Sequence, residues 1–204
     1  YRLVGRRLAS AGYCVLVVNP YYRSAKAPVV AADASFQDEA VRAGLMPMAR
    51  SLTPDTNVTD AEAFIGWLDG QAAVDTGRPV GTTGYCMGGA MTMRTAAALP
   101  GRVGAGASFH GARLVTDDID SPHRLVPVMN ASFLIAVADN DDERDPVAKS
   151  VLAQAFEAAE LKAEIEVYEG AMHGWCTPGS RVYNEAQAEK AWGRLLVLFA
   201  EALA

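Results

Sequence analysis

Apolar residues follow two different patterns along the chain. Short runs of consecutive apolar or β-branched residues are typical of strands buried on both faces. Five such runs are Tyr13 to Val18, Val80 to Tyr85, Val103 to His110, Phe133 to Ala138 and Ala163 to Tyr168. Other segments carry apolar residues at every third or fourth position, as amphipathic helices do. This order of strands and helices predicts an α/β fold with a mostly parallel sheet and helices on both faces.

Helical spacing locates six helices. They are a short helix with Leu3, Val4 and Leu8 that stops at Gly12, a weakly patterned helix around Ser35 to Arg50, and helices over Ala61 to Ala72, Met87 to Ala98, the segment up to about Glu160, and Trp192 to Leu203. Asp145 and Pro146 suit the N-cap and first position of the fifth helix. Because a helix precedes the first strand, we expect further strands upstream of Tyr1.

Length, composition and charge narrow the class of protein. The 204 residues favour one domain, which we predict to span 1–204, and 50% apolar with 21% charged residues excludes disordered, collagen-like and coiled-coil chains. A formal net charge of −6 provides no basic face for phosphates, so we predict no nucleic-acid partner. The longest apolar runs have six residues, against roughly 18 for a membrane span, so we predict a soluble protein without a membrane partner.

The three cysteines form neither an even disulfide set nor a C-x-x-C pair. This pattern fits a reducing compartment, and we predict a cytoplasmic protein. Cys14 lies within an apolar run and is expected to be a buried core thiol. Cys176 follows His173 by three residues, but no resolving-cysteine spacing supports a redox pair with Cys86.

A nucleophile elbow is the strongest chemical signal. The motif G-Y-C-M-G-G stands where a predicted strand ends and a helix begins, with Cys86 in the nucleophile position. Small residues are needed two before and two after the nucleophile because the backbone turns sharply there, and Gly84 and Gly88 occupy those positions. A helix N-terminus also favours the thiolate form of a cysteine. The alternative is a buried structural cysteine between flexible glycines.

The candidate partners of Cys86 follow in the order that nucleophile-elbow hydrolases use, carboxylate and then histidine. The motif D-N-D-D at Asp139 to Asp142 directly follows a predicted strand, and His173 comes shortly after the next strand. His173 is therefore the candidate general base. The alternatives are a solvated acidic loop and a surface histidine.

Together, G-Y-C-M-G-G, D-N-D-D and Y-E-G-A-M-H-G-W resemble the motifs of the dienelactone hydrolase family, and the resemblance runs from Tyr1 to Ala204. It implies the α/β-hydrolase fold and a Cys-His-Asp triad, with Cys86 as nucleophile and His173 as base. It does not fix the substrate.

The resemblance also indicates which acid completes the triad. In the family the acid lies three residues beyond the small residue that closes its strand, which corresponds to Asp141 counted from Ala138. Asp139 and Asp142 remain alternatives. Asp145 is better explained as a helix cap.

The family's oxyanion hole pairs the amide after the nucleophile, here that of Met87, with an amide from an earlier loop. We expect that second donor, and a family glutamate that contacts the resting thiol, to precede Tyr1. The sequence predicts no cofactor, because it has no Gly-rich dinucleotide or phosphate loop. It predicts no metal, because His110, His123 and His173 are few and scattered.

Substrate contacts are also implied by the resemblance. Arg23 matches a family arginine that binds the substrate carboxylate, although a solvated loop arginine is the alternative. Tyr85 and Trp175 are further candidates, and Trp175 alternatively only packs there. The family's second arginine corresponds to Thr177, for which Arg181 is a loose substitute. Because of this departure from the family pattern, the resemblance does not identify dienelactone itself as the substrate.

The sequence thus predicts a carboxylic ester hydrolase, similar to carboxymethylenebutenolidase, that cleaves a small ester or lactone through an acyl-cysteine. The alternative from another class is a non-catalytic hydrolase-fold protein that binds a small ligand. A thiol-disulfide oxidoreductase ranks third, because C-x-x-C is absent. The sequence leaves the natural substrate and the oligomeric state open.

Overall fold

Among the residues that the structure describes, three helices form the regular part of the first 74 positions. The computed structural model describes residues 1–31, 34 and 38–204, and it divides into two compact units, Tyr1–Val74 and Asp75–Ala204. The helices of the first unit are α1 (Arg2–Ser10), α2 (Glu39–Arg50) and α3 (Pro54–Asp69). Local sequence sets their starts, since the side chains of Asp38 and Thr53 accept hydrogen bonds from the first-turn amides of α2 and α3. The predicted start of α2 at Ser35 lies outside the described residues.

The segment Tyr13 to Val18 is not a strand, so the prediction made for it is wrong. In the described part of the chain no strand pairs with it, and Val17 and Val18 are 45% and 42% exposed. Cys14 is likewise exposed rather than buried in a core. An apolar run becomes a buried strand only where neighbouring strands bond to it and helices cover it. Here the segment packs against α1, where a Cβ on Gly5 would overlap Val17.

A four-stranded parallel sheet is the framework of the second unit. Its strands stand in the order of the chain: β1 (Val80–Tyr85), β2 (Val103–Phe109), β3 (Ser132–Ala138) and β4 (Ala163–Tyr168). Each strand pairs in parallel with the next, so all four carboxyl ends lie at one edge. The segments that follow β1, β2, β3 and β4 therefore meet at this edge, as is usual for ligand sites in such sheets.

Helices cover both faces of this sheet, as predicted. They are α4 (Met87–Ala98), α5 (Asp139–Arg144), α6 (Ala148–Ala158) and α7 (Glu185–Ala202), together with a 3₁₀-helix at Pro122–Val128. On one face of β1, Thr82 hydrogen-bonds to Thr92 of α4 at 3.1 Å. On the other face, Gly81 leaves room for the ring of Phe199 in α7, because a Cβ there would overlap it. The alternation of strand side chains fixes this two-sided arrangement.

Three helix starts differ from the prediction, and one is that of α3, which begins at Pro54 rather than Ala61 and ends at Asp69 rather than Ala72. Asp145 ends α5 instead of capping α6, which begins at Ala148 after Val147. The extra helix α5 forms because three acids in its first turn and Arg144 in its last turn complement the helix dipole. The terminal helix begins at Glu185, earlier than expected, where the Asn184 side chain caps the amide of Gln187. Among the described helices, none is long and apolar enough to cross a bilayer.

Candidate active site

Cys86 occupies a sharp turn between β1 and α4. Its φ of 54° and ψ of −120° are rare for a residue with a side chain. Gly84 is required here, since a Cβ at that position would overlap the backbone of Gly88 and the Thr92 hydroxyl. Gly88, which the sequence reasoning treated as equally necessary, has open space at its Cβ position. Gly89 is the second glycine that the packing requires, because a Cβ there would overlap Ser108.

The end of β2 fixes the backbone of this turn. The amide of Cys86 donates to the carbonyl of Phe109 at 3.1 Å, and the carbonyl of Cys86 accepts from the amide of Ala112 at 3.0 Å. The amide of Gly89 donates to the same carbonyl at 3.0 Å. These three bonds hold the strained backbone, so the sulfur has a fixed place at the carboxyl edge of the sheet.

His173 lies between a carboxylate and this sulfur. Its Nδ1–H donates to Oδ2 of Asp141 at 2.5 Å. The His173 ring also interacts with the thiol of Cys86, and this interaction shifts the pKa of both groups. The structure therefore brings together Cys86, His173 and Asp141, which are three candidates from different segments of the sequence.

The two other acids of the D-N-D-D motif have different partners. The carboxylate of Asp139 accepts from the amide of Gly170 at 2.8 Å, and the Asp139 amide donates to the carbonyl of Ala171 at 2.9 Å. The carboxylate of Asp142 accepts from Lys149, with its nearer oxygen at 2.6 Å. Because successive residues of a helix are rotated by about 100°, the acids of α5 point in different directions.

Asn140 is a site residue that sequence reasoning missed. Its Oδ1 accepts from the backbone amide of His173 at 2.8 Å. With the two Asp139 bonds, this contact fastens the loop after β4 to the first turn of α5. The sequence signal was limited to the position of Asn140 between two candidate acids.

Electrostatics favours a charged pair at Cys86 and His173. The interaction with His173 is the main cause that lowers the pKa of Cys86, burial acts in the opposite direction, and the Met87 amide adds a smaller lowering. The hydrogen bond to Asp141, and after it the interaction with Cys86, raises the pKa of His173 to about 9. Both shifts act in the direction of a thiolate and an imidazolium, and the thiolate is the reactive form of a cysteine nucleophile.

Aromatic rings pack around this pair. Tyr85 is half-buried and stacks on Phe109 with ring centroids 4.9 Å apart. Trp175 is fully buried and stacks on Tyr168 with ring centroids 5.3 Å apart. The predicted contact of Trp175 with substrate stays a prediction, and its ring packs within the protein. The ring of His110 lies between those of Trp175 and His173.

Arg23 belongs to the first unit and is held there by Asp60. Two guanidinium nitrogens of Arg23 contact the two carboxylate oxygens of Asp60, each at 2.5 Å. The hydroxyl of Tyr22 donates to the same carboxylate at 2.7 Å. Asp60 is 2% exposed, whereas the Arg23 side chain is 41% exposed. Arg23 thus has an internal carboxylate partner, and its predicted contact with a substrate carboxylate stays a prediction.

The other cysteines and histidines have separate environments. Cys14, Cys86 and Cys176 are free thiols, and burial raises the pKa of Cys176 to about 12. His123 bonds through Nδ1 to the hydroxyl of Ser121 at 2.8 Å. Within residues 1–31, 34 and 38–204, no group of three or more potential ligands is arranged to hold a metal ion.

Comparison with known proteins shows the family of the chain. The profile of the dienelactone hydrolase family matches residues 1–203. The chain belongs to the dienelactone hydrolase family. Among its relatives, proteins named "putative carboxymethylenebutenolidase" from Escherichia coli K12 and Methylorubrum extorquens are 29% and 30% identical over 202 and 198 residues. The matches cover 97% and 94% of this chain, and 70% and 64% of the relatives.

Solved structures show the same fold as this dienelactone hydrolase family member. A crystal structure described as a putative dienelactone hydrolase from Klebsiella pneumoniae superposes with a TM-score of 0.82 at 24% identity, covering 98% of this chain and 80% of that one. A dienelactone hydrolase-like promiscuous phosphotriesterase from metagenomic libraries gives a TM-score of 0.73 at 20% identity, covering 100% and 80%. The predicted fold is confirmed, and the family membership makes the protein a hydrolase of carboxylic esters or lactones.

Proposed function

We propose that this protein cleaves a small ester or lactone by nucleophilic attack of Cys86, with formation of an acyl-cysteine. The observation that carries the proposal is the hydrogen bond between His173 and Asp141, together with the interaction of the His173 ring with Cys86 at a strained strand-to-helix turn. A charged thiolate is the form that attacks a carbonyl carbon, and this arrangement favours that form before substrate arrives.

The first half of the reaction forms the acyl-enzyme. The thiolate sulfur of Cys86 adds to the substrate carbonyl, whose oxygen takes up the negative charge of the tetrahedral intermediate. The Met87 amide, which supports the resting sulfur, is the candidate donor to this oxyanion. The intermediate collapses as the carbon–oxygen bond to the leaving group breaks, and the His173 imidazolium gives its proton to the departing alkoxide.

The second half releases the acid. Neutral His173 accepts a proton from a water molecule, the resulting hydroxide adds to the acyl carbon, and the carbon–sulfur bond breaks to regenerate the thiolate. Asp141 keeps Nδ1 of His173 as a donor throughout, so the other ring nitrogen remains the one that exchanges protons. With a lactone the alcohol stays attached to the acyl group, so one hydroxy acid is the only product.

Arg23 bears on the proposed substrate class. An arginine that binds a substrate carboxylate gives its greatest selectivity when it carries an uncompensated charge. Because Arg23 is already paired with Asp60, we propose a substrate whose recognition depends little on a carboxylate. We also propose the cytoplasm as the place of action, since three free thiols suit a reducing compartment.

Assays with a panel of small lactones and activated esters test the proposed function. We expect a burst of product followed by steady turnover, and acid quenching should leave Cys86 with the mass of one acyl group. The matched control is the Cys86→Ala protein, which should show neither burst nor turnover. Turnover that persists in Cys86→Ala would contradict the mechanism, and ligand binding without any turnover would favour the non-catalytic alternative.

A further inference from the structure

His110 is a buried histidine for which the proposed mechanism has no role. It follows β2 directly, is 3% exposed, and neither of its ring nitrogens has a hydrogen-bond partner among the described residues. Buried polar groups normally have partners, and an unpartnered one reduces stability. A histidine kept in such a place therefore calls for a function that offsets this disadvantage.

The ring of His110 contacts the ring of the candidate base. The ring centroids of His110 and His173 lie 4.6 Å apart with the planes tilted by 59°. On another side, Trp175 supports His110 edge to face, with centroids 5.2 Å apart, and Tyr85 lies at 6.0 Å. The His173 ring therefore has a rigid aromatic neighbour, while its Nδ1 is bonded to Asp141 and the ring also interacts with Cys86.

The backbone aims the His110 side chain. His110 has a φ of 41°, which is uncommon for a residue with a side chain, and its amide donates to the carbonyl of Ala136 at 2.8 Å. Phe109 precedes His110, and its carbonyl accepts a hydrogen bond from the Cys86 amide. Ala112 follows Gly111, and its amide donates to the Cys86 carbonyl. The same turn thus fixes the nucleophile's backbone and directs the His110 ring.

The surroundings also determine the charge of His110. Burial, followed by the nearby His173 cation, lowers the pKa of His110 to about 4, while Asp141 acts in the opposite direction. The titratable side chains that face it are Tyr85 from β1, Asp141 from α5 and His173 from the loop after β4. A neutral ring can pack against an imidazolium, whereas a second cation at this distance would repel it.

We propose that His110 is a positioning residue whose uncharged ring restrains the His173 imidazole in the orientation that joins Asp141 to Cys86. This inference rests on the proposed function for its consequence in catalysis. The orientation itself is a property of the resting protein, so it can be tested without a substrate. His110 acts through the shape and neutrality of its ring, and it exchanges no proton in the reaction.

Alkylation of Cys86 by iodoacetamide at several pH values, followed by mass spectrometry of the Cys86 peptide, tests the proposal. In His110→Ala the His173 ring loses this restraint, so the midpoint of the profile should rise toward the ordinary cysteine value of about 8.5. His110→Phe keeps a neutral ring and should preserve the wild-type profile, as should the control His123→Gln. An unchanged profile in His110→Ala, or an equal shift in His110→Phe, would overturn the proposal.

Nuclear magnetic resonance of the wild-type protein gives a test that does not depend on the folding of a variant. The chain has three histidines, so the ring signals can be assigned with His123→Gln. We expect cross-relaxation between the rings of His110 and His173, and a His110 ring that remains neutral from pH 8 to about pH 5. Titration of His110 near 6.5, or no contact between the rings, would exclude the proposed role.

Catalysis provides a separate readout. A misplaced catalytic group can cost about 10²-fold, so kcat/KM in His110→Ala should fall by about that factor and recover in His110→Phe. If the wild-type protein hydrolyses no ester while the alkylation and resonance results hold, the proposed function fails and the positioning role of His110 stands. If hydrolysis occurs but those results fail, only the positioning role is lost.

Discussion

Nδ1 of His173 lies 2.5 Å from Oδ2 of Asp141, although 32 positions separate the two residues in the chain. Parallel pairing of β3 and β4 brings the ends of both strands to one edge, and the short helix α5 turns Asp141 toward the ring. The neighbouring acids contact the amide of Gly170 and the ammonium of Lys149 instead. This difference in partners yields a direct test.

Asp141→Asn should lower kcat by roughly 10² to 10⁴, because the amide no longer stabilises the imidazolium that forms during the reaction. Asp142→Asn changes the same motif but only affects the pair with Lys149, so its kcat should stay within about twofold. Steady-state kinetics on an activated ester, with thermal melts to verify folding, makes the comparison. Similar losses in both variants would argue against a special role for Asp141.

The three thiols should react with iodoacetamide in the order Cys86, Cys14, Cys176 at neutral pH. Cys14 is exposed, so access does not slow its reaction, and faster labelling of Cys86 must come from its lowered pKa. Cys176 should react last, because burial raises its pKa to about 12. Peptide mass spectrometry over time gives the order. Labelling of Cys14 ahead of Cys86 would contradict a resting thiolate.

The pKa of His173 should respond to its two partners in order of their influence. We expect a value near 9 in the native protein, since negative partners favour the imidazolium. Removing the charge with Asp141→Asn should lower this pKa most, and Cys86→Ala should lower it less, because the bond to Asp141 is the larger cause. Titration by nuclear magnetic resonance measures all three proteins. A larger effect of Cys86→Ala would reverse this ranking.

Asn140→Ala should reduce both stability and activity, because it removes the acceptor for the His173 amide. The loss of one such bond typically costs about 1 kcal/mol, and a loosened base should reduce kcat by about tenfold. Asn140→Asp retains an acceptor oxygen and serves as the matched rescue variant. Urea unfolding and ester kinetics provide the two measurements. Full activity of Asn140→Ala would show that the loop needs no such fastening.

Arg23→Ala should change ester selectivity only slightly. A free charge-assisted contact with a substrate carboxylate would favour an anionic ester by about 10 to 150-fold, whereas an arginine already paired with Asp60 should give less than about 10-fold. The measurement is kcat/KM on a matched anionic and neutral ester pair, with and without Arg23. A preference above that range that disappears in Arg23→Ala would instead identify Arg23 as a carboxylate-binding residue.

Local sequence determined most of the secondary structure of the second unit. The runs at Val80–Tyr85 and Ala163–Tyr168 and the helix Met87–Ala98 have the predicted bounds. These elements could be predicted because apolar periodicity marks them and glycines stand at their ends. Both signals lie within neighbouring residues. The prediction failed at Tyr13 to Val18, where burial depends on partners distant in the chain.

For the candidate site, too, the sequence determined some features and the tertiary structure decided the others. The sequence by itself indicated Cys86, because the elbow motif is a run of neighbouring residues. It also indicated His173, because triad residues follow successive strands in a fixed order along the chain. Only the tertiary structure decided that Asp141, and not Asp139 or Asp142, contacts His173, since one turn of α5 sends the three carboxylates to different partners. It alone also placed His110 against His173, buried Trp175 and paired Arg23 with Asp60. Side-chain contacts of this kind depend on how separate segments pack, which no local pattern encodes.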